Sequence, residues 1–79
     1  MTDFEFSTAI ARELCYYRRK LGFTQQEIYD ATGIHIGRIE NNSQSMRLIT
    51  YCKLCKFMGI QFQKILDRVM YSDFDEIND

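Results

Sequence analysis

Apolar residues in this chain return every three or four positions, and that spacing constrains the fold more than any other feature. Phe6, Ile10, Leu14, Tyr17 and Leu21 step down one face of a helix of four or so turns. Gly22 follows, a residue that can enter the left-handed region closing a helix. Leu48, Tyr51, Cys55 and Met58, with Leu54 beside them, form a later stripe that Gly59 stops. Phe62, Ile65, Leu66 and Val69 then give the i, i+3, i+4, i+7 pattern of a buried face. Proline is absent and the four glycines are scattered, so nothing reads as a linker, and no internal repeat is present.

Between the first and fourth helices the local chemistry is more specific. Thr24-Gln25-Gln26-Glu27 is a capping box: the Thr24 hydroxyl can accept from the Glu27 N–H while the Glu27 carboxylate reaches back to the Thr24 N–H. Phe23 and Ile28 are placed to form the hydrophobic staple, so a second helix starts at Gln25. It is short, because Asp30-Ala31-Thr32-Gly33 supplies a break and Ile36 and Ile39 open a new amphipathic segment. Asn41 to Ser45 reads as a polar loop, with Asn42 the best candidate for a left-handed cap. The expectation is an all-α, five-helix bundle over residues 1–72, with an acidic stretch at 73–79 that is either a frayed tail or a short docking helix.

At 79 residues the chain allows one domain and excludes a multi-domain or barrel enzyme. With 46% apolar residues it should fold, yet no apolar run approaches the roughly 18–20 residues of a membrane span. No secretion signal opens the sequence, so the expected compartment is the cytoplasm. Three cysteines, Cys15, Cys52 and Cys55, argue against a disulfide framework. Cys52 and Cys55 have C-x-x-C spacing but fall inside an amphipathic helix, where core packing explains them better than metal binding. There is no phosphate loop, no metal-ligand helix pair and no set of nucleophile, base and orienter, so neither catalysis nor a cofactor is expected.

From about Ile10 to Leu66 the chain resembles the helix-turn-helix family of phage repressors and Cro proteins. The residues that carry the likeness are Arg18, the run Gly22 to Ile28, the segment Ile36-Gly37-Arg38-Ile39-Glu40-Asn41, and the ending Leu54 to Ile60. The resemblance implies a lambda-repressor-like domain that binds duplex DNA as a homodimer and regulates transcription. It assigns Gln25 to a phosphate, Arg38 to a base edge, and Asn41, Ser43 and Arg47 to the DNA backbone. It also pairs Arg18 in the first helix with Glu40 at the end of the recognition helix. Arg18 is therefore expected inward, with Arg19 and Lys20 solvated.

One departure from that pattern matters. Between Ile28 and Glu40 the chain is about three residues short, close to one helical turn. If the second helix absorbs the loss, Thr32 becomes the N-cap of the recognition helix, and Gly33, Ile34 and His35 form its first turn beside the bases. If the recognition helix absorbs it, Gly33 ends the second helix, Ile34 is a buried turn residue and His35 begins the third. The first placement is preferred because Thr is a good N-cap and His a poor one. His35 and Arg38 face outward in both.

Charge neither announces nor excludes such a function. The net charge is −1, but residues 12–68 hold all ten cations against five acids, a net +5, and the remaining acids lie at the two ends. The rival reading is a protein-interaction module on the same fold, with DNA binding weak or blocked by the acidic end. The dimer surface is expected around Phe57, Phe62, Met70, Tyr71 and Phe74.

Overall fold

A computed structural model describes residues 2–42 and 46–78, with side chains in the last helix described as far as Tyr71. The chain forms five helices: α1 (Asp3–Lys20), α2 (Gln25–Thr32), α3 (Ile36–Glu40), α4 (Leu48–Met58) and α5 (Phe62–Asn78). Thr2 caps α1 by accepting from the Glu5 N–H at 3.1 Å. Asp3 and Glu5 sit in its first turn and Arg18, Arg19 and Lys20 in its last, each set opposite to the partial charge of that helix end. Both arms of the Thr24–Glu27 capping box are made, at 3.0 Å each, and α2 starts at Gln25 as the sequence predicts. Gly22, Asn42 and Gly59 adopt positive φ at the ends of α1, α3 and α4.

Each helix places at least one fully buried side chain in a common core: Leu14 from α1, Ile28 from α2, Ile36 from α3, Leu54 and Cys55 from α4, and Ile65 from α5. Fully burying an aliphatic side chain of this size stabilises by about 1.5–3 kcal/mol. α1 packs against α3 and α5, α2 against α3 and α4, and α4 against α5. The Tyr51 hydroxyl donates to the Phe62 carbonyl, tying α4 to the first turn of α5. Burial pushes that hydroxyl's pKa well up, so it remains a neutral donor. Cys55 is part of the core and Cys52 is half-buried; burial also pushes the Cys55 thiol up. No described helix is long and apolar enough to cross a membrane.

The preferred placement, with Thr32 capping the third helix, is reversed: Gly33 ends α2, and α3 holds the five residues Ile36–Glu40. α2 runs through Thr32, and Gly33 closes it at φ +74°, a conformation that favours glycine over any residue carrying a Cβ. Thr32 does not cap α3. Its hydroxyl donates back to the Ile28 carbonyl at 2.7 Å and accepts from the Ile34 N–H at 3.1 Å, so it stitches the end of α2 to the turn. Ile34 is half-buried against the core, and His35 stands at the N-cap of α3 without a side-chain capping bond. Two isoleucines two positions apart decide the matter. Ile34 and Ile36 both gain from burial, and a turn at Gly33 lets both reach the core.

The backbone of the acidic stretch continues α5 as far as Asn78. Around the expected dimer surface, Phe57 is taken up by the core, with its ring 5.1 Å from that of Phe23. Phe62, Met70 and Tyr71 are exposed. The Phe74 side chain lies outside the described residues, as does Ser43.

Candidate functional site

One buried arginine joins three segments. Arg18, near the end of α1, donates from Nε to Glu40 Oε2 at 2.6 Å and from Nη2 to Glu40 Oε1 at 3.1 Å. Its Nη1 donates to the Phe23 carbonyl at 2.9 Å, fixing the loop that leads into α2. The two charged side chains are 10% and 7% exposed, so the pair is largely desolvated. Arg19 and Lys20, by contrast, are exposed.

Glu40 accepts a third bond, from Gln25 Nε2 at 3.0 Å, which closes a clamp across α1, α2 and α3. Burial pushes the Glu40 carboxyl up, but the donors Arg18 and Gln25 outweigh it and hold it below the usual carboxylate range. The same pairing raises the Arg18 pKa. Gly37 makes this closeness possible, because a Cβ there would lie 2.9 Å from Gln25 Oε1. A side chain at 37 would displace the Gln25 amide. Gln25, itself exposed, directs its amide to Glu40, while the resemblance implies a phosphate for it.

Around the clamp lies an open groove of about 700 Å³. Gln25, Gln26 and Tyr29 of α2 form one wall, His35 to Arg38 with Glu40 and Asn41 another, and Cys15 and Arg19 of α1 the end. The His35 ring stacks on Tyr29, with centroids 4.4 Å apart and planes 28° from parallel. Arg38 is exposed on the rim and Asn41 caps the end of α3. Of the residues singled out in the sequence, Gln25, His35, Arg38 and Asn41 meet here, whereas Thr32 and Ile34 serve the turn and core. Gly33 is exposed in the turn, and Arg47 stands exposed at the N-cap of α4, where neither lines the groove.

Six lining residues were not among the expected site residues: Cys15, Arg19, Gln26, Tyr29, Ile36 and Gly37. Tyr29 lies one turn after Gln25, so helical spacing from that expected site position would have found it. No group of His, Cys, Asp and Glu suited to a metal occurs among the described residues.

The turn geometry makes a stability prediction. Ile34→Ala should lower unfolding free energy by about 1–2 kcal/mol, less than for a fully buried isoleucine, while His35→Ala should cost about 0.5 kcal/mol or less. Urea denaturation of both variants checks the order, and a larger loss for His35 would place Ile34 outside the core. Comparison with known protein families, with curated proteins and with solved structures found no match to this chain.

Proposed function

We propose that the chain is a small helix-turn-helix regulator of the phage repressor and Cro type, binding duplex DNA through the groove face of α2 and α3. The observation that carries this reading is how α3 is tied at its end. The Arg18–Glu40–Gln25 clamp fixes its end against α1 and α2, while His35, Arg38 and Asn41 line the outer side. Arg38 is suited to the O6 and N7 acceptors of guanine, a bidentate contact worth roughly 1–3 kcal/mol of discrimination. The first-turn amides of α2, at Gln25 and Gln26, have no intrahelical acceptor and suit a phosphate. A homodimer would set two such faces about 34 Å apart on successive turns of one duplex face.

A second reading, a protein-interaction module with weak DNA binding, is favoured by one dimension. α3 has five residues, about 7.5 Å of helix, so its reach into a major groove is short. Salt separates the two. Fluorescence anisotropy with random-sequence duplex should show affinity falling steeply between about 50 and 200 mM salt as counterions are released. Absence of binding at the lower salt would leave the interaction module. Once an operator is selected, Arg38→Ala should reduce discrimination against random duplex by roughly 5- to 100-fold. Equal weakening on both DNAs would make Arg38 a phosphate contact instead.

A further inference from the structure

The outward flank of α1 carries a second charged surface that the groove does not use. Arg12, Tyr16, Arg19 and Lys20 follow the i, i+4, i+7, i+8 spacing of one helix face. With Cys15 they line a depression of about 510 Å³, and no carboxylate is part of its lining. Tyr16, one of these lining residues, is 49% exposed. Two cations sit over its ring: Lys20 Nζ at 5.7 Å and, from α5, Arg68 Cζ at 6.0 Å. The Tyr17 ring meets it edge-on at 5.3 Å. Arg68 is also held by Glu13, at 3.1 Å. Arg12, Arg19 and Lys20 enter no ion pair among the described residues. Three cations, Arg12, Arg19 and Lys20, thus share the depression with one exposed ring, over which Lys20 and the Glu13-paired Arg68 sit.

We infer that this flank is a phosphate-binding surface that extends the duplex footprint beyond the groove, an inference that rests on the DNA-binding reading. Two features select the partner. The surface is lined by three cations, Arg12, Arg19 and Lys20, that enter no ion pair among the described residues and suit a polyanion. It is also continuous with the groove, because Cys15 and Arg19 line both. A duplex seated on α3 carries phosphates at closely spaced intervals along its backbone, and the strand passing α1 would meet Arg19 first, then Arg12 and Lys20. Tyr16 holds Lys20 and Arg68 over its ring and keeps the cations fanned toward that strand. These contacts carry no sequence information; they set register and affinity.

The test compares Arg12→Gln/Lys20→Gln with wild type and with Lys53→Gln/Lys64→Gln, an equal charge change at exposed positions of α4 and α5 lining neither cavity. Anisotropy titrations across about 50 to 200 mM salt give the slope of log affinity against log salt for each. Loss of two phosphate contacts should make the slope shallower by about 1–2 and weaken binding roughly 10-fold at the lower salt, with preference among duplex sequences unchanged. The control should keep the wild-type slope. A flank variant with wild-type slope, or a control that loses as much, overturns the inference while leaving the groove reading intact. Wild-type protein that fails to bind duplex at low salt overturns both.

Discussion

Replacing Arg18 by alanine lowers unfolding free energy by about 2–4 kcal/mol, the first of the two largest effects expected in this molecule. The change strips the Glu40 carboxylate, 7% exposed, of its charged partner, leaving the neutral donors Gln25 and Cys15, and it strips the Phe23 carbonyl of its Arg18 bond. For a domain of this size the loss corresponds to a fall in melting temperature of roughly 10–30 °C. An unchanged melting temperature would mean that the pair is screened by solvent and contributes no more than a surface bridge. A double-mutant cycle with Glu40→Ala should give a coupling of about 1–3 kcal/mol, because the partner's loss is already counted in either single change.

The same clamp fixes the direction of the pH response. The folded-state pKa of Glu40 is lowered from its ordinary value of 4.5, so its stabilising contribution is complete above that value and is lost as pH falls through the lower one. The stability difference between wild type and Glu40→Gln should therefore be widest near neutral pH and should close on acidification below about 4.5. A difference constant from pH 7 to pH 3 would remove the carboxylate from any part in acid unfolding.

Much of this fold is legible in single residues, for a physical reason. Capping boxes and left-handed glycines satisfy backbone groups within a few positions of themselves, so Thr24–Glu27, Gly22 and Gly59 can be read without tertiary contacts. Residues 32–35 resist such reading because two local rules compete there. Thr32 is an able N-cap, and Gly33 an able C-cap; the core decides between them by taking both Ile34 and Ile36. In the site, the Arg18–Glu40 pair was legible through the family resemblance, each partner lying at a matching position. Gln25's bond to Glu40 and the Tyr29–His35 stack were not, because both depend on how closely α2 approaches α3. The Gln25 amide also occupies the space left by the missing side chain at Gly37, whose absence alone looks like a weakness in the helix.

Ile36→Ala should cost about 2–5 kcal/mol, and its consequence for the groove should exceed its share of stability. A five-residue helix has no stability of its own, since nucleation outweighs so few hydrogen bonds. α3 is held by Ile36 and Ile39, 0% and 2% exposed, at one side and by the Glu40 clamp at its end. Truncating Ile36 opens a cavity under its first turn, where His35 and Arg38 begin to face the groove. Leu54→Ala is the matched comparison: equally buried, with a similar expected loss, but in the eleven-residue α4, which contributes no lining to the groove. Native-state hydrogen exchange should show the α3 amides opening well below the global unfolding free energy in Ile36→Ala, yet close to it in Leu54→Ala. Under conditions where both variants remain folded, duplex affinity should fall for Ile36→Ala and hold for Leu54→Ala. Equal affinities would mean that the clamp at Glu40 positions α3 without help from the core.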